Sequence, residues 1–158
     1  MILPVRKIQR LPNFDYSQNA AYFITICTKG HRCILSHIVG CGAFTAPRVE
    51  LTEYGKIVDR YIRSMKDVDN YVIMPNHVHL IISITDNDGA TRASHPTQSI
   101  STRIAAMKSL ASKKIGHSIW QTSFHDHIIR GEQDYREIWR YIEENPLRWK
   151  SDRYYRLK

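Results

Sequence analysis

The 158-residue sequence is poor in cysteine and has no long apolar run, and each shortage excludes a class of protein. Cys27, Cys33 and Cys41 lack CxxC spacing, which excludes a disulfide framework and a structural zinc knuckle and predicts reduced, structural thiols. No stretch approaches the roughly 18 apolar residues of a membrane span. The apolar start of the chain is interrupted by Arg6 and Lys7, unlike a signal peptide, so we expect a cytoplasmic protein with no membrane partner.

Acidic residues are also in short supply. The chain has 23 Lys and Arg against 15 Asp and Glu, a formal net charge of +8 and a pI near 9.5. This balance favours a polyanionic partner, nucleic acid first, although many basic domains bind nothing. With 42% hydrophobic residues the chain can bury one core, and we expect a single domain over residues 1–158 with its core at about 20–150.

Hydrophobic periodicity alternates between strand and helix along the chain, in the order β, α, β, β, α, β, α. It predicts strands at 21–28, 71–74, 77–84 and 120–130 and helices at 53–66, 97–114 and 133–145. The short apolar groups and glycines between Cys33 and Pro47 predict an irregular hairpin or loop, and Gly116 is placed as a helix C-cap. This order favours an α+β fold, a ferredoxin-like antiparallel sheet with helices packed mainly on one face.

Two histidines separated by one residue lie on the strand predicted at 77–84. Alternate residues of a strand point to the same face, so His77 and His79 can chelate one metal ion while Val78 faces the other side. Taken alone, the pattern is more often explained by two ordinary strand histidines. Because Leu80 and its neighbours predict a buried strand, each unpaired imidazole nitrogen would cost about 1–3 kcal/mol, and a metal ion would satisfy both.

A second pair of the same kind, His125 and His127, lies on the strand predicted at 120–130. Four histidines on neighbouring strands would suit zinc. A metal-dependent hydrolase that uses His77, His79, His125 and His127 is therefore one alternative function.

The last predicted helix offers a phenol and an amide on one face. Tyr141 and Asn145 are four residues apart, which places their side chains about 5–6 Å from each other. The buried stripe of this helix is supplied by other residues, namely Tyr135, Ile138, Trp139 and Ile142. Tyr141 is therefore available for a site, although an exposed tyrosine beside a helix-terminal Asn is common without any function.

Three segments are similar to one known family, the single-tyrosine HUH transposases, in which two histidines flank one hydrophobic residue. The segments are YVIMPNHVHLII at 71–82, MKSLASKKIG at 107–116 and WQTSFHDHIIRGEQDYREIWRYIEENPLRW at 120–149. Together they extend over most of residues 20–150. Within the family they resemble the REP-associated tyrosine transposases most. Asn145 agrees with that branch, whereas transposases of the smallest insertion sequences usually have Gln at its position.

The resemblance implies a site and a reaction. His77, His79 and Asn145 would hold a divalent metal ion, Mg²⁺ or Mn²⁺, and Tyr141 would attack a DNA phosphate to leave a 5′-phosphotyrosine and a free 3′-OH. His127 would be a neighbour of the scissile phosphate or a packing residue, and the resemblance implies no ligand role for His125. The reaction is the cutting and rejoining of single-stranded DNA beside a hairpin, a transesterification that needs no ATP.

Basic and aromatic side chains are candidates for contacts with the DNA. The candidates for phosphate contacts are Arg103, Lys108, Lys113, Lys114, Arg130 and Arg140. Trp149, Tyr154 and Tyr155 either stack on bases or pack the end of the chain onto the domain. Dimers with shared sites occur in the family, so a homodimer is one expected state. The second alternative function is a non-catalytic DNA-binding module of the same fold.

Overall fold

The computed structural model describes residues 20–40, 42, 44–85 and 99–155, and in these the predicted elements follow in the predicted order with one hairpin added. The strands are β1 (Ala20–Cys27), β2 (Ser36–Val39), β3 (Arg48–Leu51), β4 (Val68–Ile73), β5 (His77–Ile84) and β6 (His125–Ile129). The helices are α1 (Glu53–Arg63), α2 (Ile100–Ile115) and α3 (Gly131–Glu144), with short 3-10 helices at Lys29–His31 and Trp149–Ser151. β2 lies within Cys33–Pro47, the segment predicted as an irregular hairpin or loop, and β3 directly follows that segment.

Four of the strands form an antiparallel sheet in the order β4-β5-β1-β6, and β2 and β3 pair separately. β5 and β1 are the central strands, which explains why β5 is buried along most of its length and why the second half of β1 is fully buried. In their register His79 lies opposite Thr25, and His77 lies opposite Cys27. The predicted antiparallel α+β fold is confirmed.

The two faces of the sheet are covered by different helices. Val78 and Leu80 point to one face, where they pack with Ile104 of α2 and with α1. Ile81 points to the other face and packs with Ile142 of α3. Because His77 and His79 are an even number of residues from Ile81, they share its face. Two helices therefore cover one side, and α3 covers the side that carries the histidines.

The last strand is shorter than predicted. The pattern predicts a strand over 120–130, but only His125–Ile129 pairs with β1, and Trp120 makes an isolated bridge. Residues 121–123 are polar, and their carbonyl groups are taken up by a lysine side chain instead of by a neighbouring strand. Strand propensity therefore predicted too long a strand, because propensity carries no information about which hydrogen-bond donors lie near the backbone.

The helix ends follow from their capping residues. Ser99 caps α2 by accepting a hydrogen bond from the backbone of Thr102. The helix begins at Ile100, three residues after the predicted start at position 97, which lies outside the described residues. Gly116 ends α2 in the left-handed conformation, with φ of 97°, as predicted. In the described part of the chain no helix has the length and apolar character that crossing a membrane requires.

Candidate active site

His77 and His79 lie beneath α3 and are almost fully buried, with 0% and 1% of their surface exposed. Their ring centroids are 4.5 Å apart. Burial lowers the pKa of His77 to about 4, and burial and the neighbouring His77 lower the pKa of His79 well below its ordinary value. Both imidazoles are therefore neutral near pH 7, which is the form that binds a metal ion.

The tautomer of His77 is set by Asn76. The amide nitrogen of Asn76 donates to the carbonyl oxygens of Tyr154 at 2.8 Å and of His31 at 3.3 Å, which leaves its amide oxygen 2.8 Å from His77 Nδ1. An amide oxygen can only accept, so this network assigns the proton of His77 to Nδ1. The unprotonated Nε2 is buried and has no hydrogen-bond partner among the described residues. A lone pair in this position requires a donor or a cation.

Tyr141 lies beside the second histidine. Its hydroxyl group is 3.5 Å from His79 Nε2, and the other ring nitrogen of His79 is 2.8 Å from the Thr25 hydroxyl. The Tyr141 ring packs edge-on against Phe23, which holds it over the sheet, and 37% of the side chain is exposed. Burial and the negative charge of Asp152 raise the pKa of the Tyr141 phenol. The tyrosine is therefore neutral, open to solvent and adjacent to the histidine pair.

Asn145 lies one helical turn after Tyr141 and is 1% exposed. Its amide nitrogen donates to Asp152 Oδ2 at 3.0 Å. Its amide oxygen is buried without a hydrogen-bond partner in the described structure. Asp152 links Asn145 to the histidines, because the Asp152 carboxylate has a ligand atom within 4.8 Å of ring nitrogens of His77 and His79. The structure thus brings the four residues named from the sequence, His77, His79, Tyr141 and Asn145, to one place.

Asp152 was not predicted as a site residue. Its carboxylate and the ring nitrogens of His77 and His79 offer ligand atoms that all lie within 4.8 Å of one another. The unsatisfied His77 Nε2, the unsatisfied oxygen of Asn145 and this carboxylate are all acceptors. Two buried acceptors without donors in the described structure, close to a carboxylate, fit a cation. Two imidazoles with oxygen ligands are a common donor set for a divalent metal ion.

The segment after α3 folds back onto the site. Tyr154 is 6% exposed, and its ring lies 4.6 Å from that of His77. The Trp149 ring lies 6.0 Å from the same histidine. Of the two interpretations of the C-terminal aromatic residues, packing onto the domain is the correct one for Tyr154. No periodic signal links this segment to β5, so Asp152 could not have been found from spacing.

The second histidine pair does not join the first. His127 Nε2 is 2.9 Å from the Asp134 carboxylate, and both His125 and His127 are exposed. Neither belongs to the metal-binding group of His, Cys, Asp and Glu found in the described residues. β1 lies between β5 and β6, which separates the two pairs by about 10 Å. The four-histidine hydrolase therefore has no support in this geometry.

Two of the six predicted phosphate contacts are used within the protein. Arg103 forms an ion pair with Asp67 at 2.7 Å and donates to the Lys66 carbonyl group. The Lys108 ammonium group donates to the carbonyl groups of residues 121–123. Both lie on α2, on the face of the sheet opposite the histidines. The other four candidates are exposed: Lys113, Lys114, Arg130 and Arg140.

Lys108 is expected to contribute to stability and not to DNA binding. Replacing it with Met removes the donor from three carbonyl groups, and we expect the free energy of unfolding to fall by about 1–3 kcal/mol in urea titrations. Lys113→Met, at an exposed position of the same helix, is the control and should change stability by less than about 0.5 kcal/mol. A reduction of about 1 in the salt slope of DNA binding by Lys108→Met would instead show a phosphate contact.

Comparison with known proteins identifies a family and a similar fold. Residues 44–145 match the family described as "Transposase IS200 like". An uncharacterised protein of Haemophilus influenzae is 29% identical over an alignment that covers 95% of this chain and 93% of that protein. The structure of a REP-associated tyrosine transposase bound to a REP hairpin has a similar fold, with a TM-score of 0.60 and 20% identity over 89% of this chain and 74% of that chain.

The family match extends over well more than half of the chain. It includes β5 with both histidines, the whole of α3 with Tyr141, and the position of Asn145. The chain therefore belongs to the family of IS200-like transposases.

Proposed function

We propose that this transposase cuts and rejoins single-stranded DNA through a 5′-phosphotyrosine intermediate. Tyr141 is the nucleophile, and His77, His79 and Asn145 hold a divalent metal ion, Mg²⁺ or Mn²⁺. The observation that carries the proposal is the position of a partly exposed phenol 3.5 Å from one neutral imidazole, beside a second imidazole whose buried nitrogen has no partner in the described structure. The proposed nucleophile thus lies directly beside the proposed cation site.

Tyr141 is favoured over Tyr154, the other phenol near the histidines. The Tyr154 hydroxyl receives a hydrogen bond from Arg153, and its side chain is 6% exposed. The Tyr141 hydroxyl lies 3.5 Å from His79 Nε2, and 37% of the residue is exposed. A DNA phosphate can reach Tyr141 without displacing the C-terminal segment.

The proposed reaction is a transesterification. The Tyr141 oxygen forms a bond to phosphorus as the bond between phosphorus and the 3′ oxygen breaks. The phenol proton passes to water, and the departing 3′ oxygen takes up a proton. One phosphodiester bond is present before and after the step, so a different 3′-OH can attack the phosphotyrosine and rejoin the strand without ATP.

The phenol needs help to ionise. An ordinary tyrosine with a pKa near 10 is phenolate in only about one molecule in a thousand at pH 7, a cost of about 4 kcal/mol, and the pKa of Tyr141 is raised further by burial. A bound divalent ion supplies positive charge that stabilises the phenolate, the phosphate oxygens and the departing 3′ oxygen. The buried acceptors of His77 and Asn145 would orient it.

The substrate proposed is single-stranded DNA adjoining a hairpin. The net charge of +8 suits a polyanion. The exposed basic residues Lys113, Lys114, Arg130 and Arg140 are the candidate phosphate contacts. Asn145 and the fold similarity to a REP-associated tyrosine transposase support that branch of the family. Tyr141 reaches the histidines of its own chain, so the reaction requires no residue from a second copy, and the predicted homodimer is not part of the proposal.

A strand-transfer assay tests the function. The chain is incubated with Mn²⁺ or Mg²⁺ and a hairpin-bearing single strand labelled at its 3′ end, and we expect a denaturant-resistant protein band that carries the label. Adding a second strand with a free 3′-OH should move the label into a longer DNA product. Cleavage to a free 5′-phosphate without an adduct would show a hydrolase, and binding without cleavage would show a non-catalytic module.

A further inference from the structure

We infer that Asp152 is a fourth protein ligand of the same metal ion, supplied by the segment that follows α3. The inference rests on the proposed function, because it concerns the ion proposed there, and it adds a carboxylate that the sequence did not predict. Its ligand class is a divalent cation that accepts nitrogen and oxygen donors.

Distance is the first argument. The ligand atoms of His77, His79 and Asp152 lie within 4.8 Å of one another. Metal–ligand distances of about 2.0–2.2 Å place two ligands of one ion up to roughly 4.4 Å apart. Adjacent ligands of an octahedral ion are closer, roughly 3 Å apart, so the three groups need to close by up to about 2 Å to share an ion.

The carboxylate is also held in place for this role. Asp152 Oδ2 accepts from the Asn145 amide at 3.0 Å, and Oδ1 accepts from the Tyr154 backbone at 2.7 Å. The backbone N–H of Asp152 donates to the Trp149 carbonyl group at 3.1 Å, which closes the 3-10 helix before it. A carboxylate has about four lone-pair positions, so lone pairs remain on both oxygens. Hydrogen bonds of this kind orient a metal ligand without occupying it.

Asn145 takes two roles in this arrangement. Its amide nitrogen orients Asp152, while its amide oxygen stays buried without a partner among the described residues. A cation shared with His77 and Asp152 would satisfy that oxygen. Two imidazoles, one amide and one carboxylate leave two positions of an octahedral ion for oxygens of the DNA phosphate.

The tail that carries Asp152 is tied to β5 by the same residue that orients His77. Asn76 donates to the Tyr154 carbonyl group and accepts from His77 Nδ1. The Tyr154 ring packs on His77 at 4.6 Å. Asp152 is thus held near the proposed metal site by Asn145 on α3 and, through Tyr154, by Asn76 and His77.

Metal titration of the full chain without DNA tests the inference. Asp152→Asn keeps the shape and one acceptor oxygen but removes the charge, and we expect Mn²⁺ to bind about 10- to 100-fold more weakly in calorimetry. Asp152→Cys replaces an oxygen ligand by a thiolate, and the preference for Cd²⁺ over Mn²⁺ should rise by at least about tenfold, with a cadmium–thiolate absorbance band.

The matched controls are Asp134→Asn and Asp134→Cys, because that carboxylate pairs with His127 away from the site. They should leave Mn²⁺ affinity unchanged, and the Cys control also accounts for the native cysteines. Unchanged metal affinity and preference in both Asp152 variants, with Mn²⁺ binding lost in His77→Ala, would overturn the inference and leave the proposed function intact. Mn²⁺ binding retained in His77→Ala as well would place the ion elsewhere and overturn both.

Discussion

Tyr141→Phe is expected to form no covalent adduct with DNA and to cut the strand at least about 10⁴-fold more slowly than the unaltered chain. The substitution removes only the hydroxyl group, which lies 3.5 Å from His79 Nε2. The ring contacts with Phe23 and His79 remain, so the fold and the affinity for DNA should change little. Denaturing electrophoresis of the labelled strand, with DNA affinity measured in parallel, gives both quantities.

Two other tyrosines serve as controls for this result. Tyr154→Phe alters the second phenol near His77, and Tyr135→Phe alters a phenol on the same helix that donates to Asp69. Both variants should keep the adduct. An adduct that survives in Tyr141→Phe and disappears in Tyr154→Phe would move the nucleophile to the C-terminal segment, and sequencing of the labelled peptide would identify it directly.

Loss of either histidine of β5 should strongly weaken binding of the proposed metal ion. We expect His77→Ala and His79→Ala to weaken Mn²⁺ binding by more than about 100-fold, since loss of a ligand should exceed the 10- to 100-fold cost of losing an outer-shell partner. Saturating Mn²⁺ at about 100 times Kd should stabilise the unaltered chain by about 2.7 kcal/mol, and this gain should vanish in both variants. Thermal unfolding with and without the ion measures it.

His127→Ala is the control for the metal prediction. Its imidazole is exposed and paired with Asp134, so Mn²⁺ affinity should not change. Equal losses in His127→Ala and His77→Ala would restore the four-histidine site. DNA binding without metal should persist in all three variants, because the candidate phosphate contacts are basic residues outside the histidine pair.

The sequence predicted the elements well because their signals are local. Runs of β-branched residues and helical spacing fixed β1, β5, α1 and α3 to within a few residues. Alternation along β5 placed His77 and His79 on one face, and the spacing of α3 placed Tyr141 beside Asn145. These relations hold between residues fewer than five positions apart, so they need no knowledge of the rest of the chain.

The roles of basic and acidic side chains were harder to predict. In the sequence, Arg103 and Lys108 are basic residues of the same predicted helix as Lys113. In the structure, however, Arg103 and Lys108 bind groups within the protein. Whether a charge is available to DNA depends on which carboxylates and carbonyl groups lie within its reach. That depends on packing, which no pattern in α2 records.

By itself the sequence determined the family, the order of elements, the histidine pair and the tyrosine, since motifs and periodicity are properties of neighbouring residues. Tertiary structure alone decided that β1 separates the two histidine pairs, that Asn76 fixes the tautomer of His77, and that the Asp152 carboxylate lies beside His77 and His79. The reason is distance along the chain. Asn76 and Tyr154 are 78 residues apart, and a hydrogen bond between such partners exists only once strand pairing and the return of the C-terminal segment have brought them together.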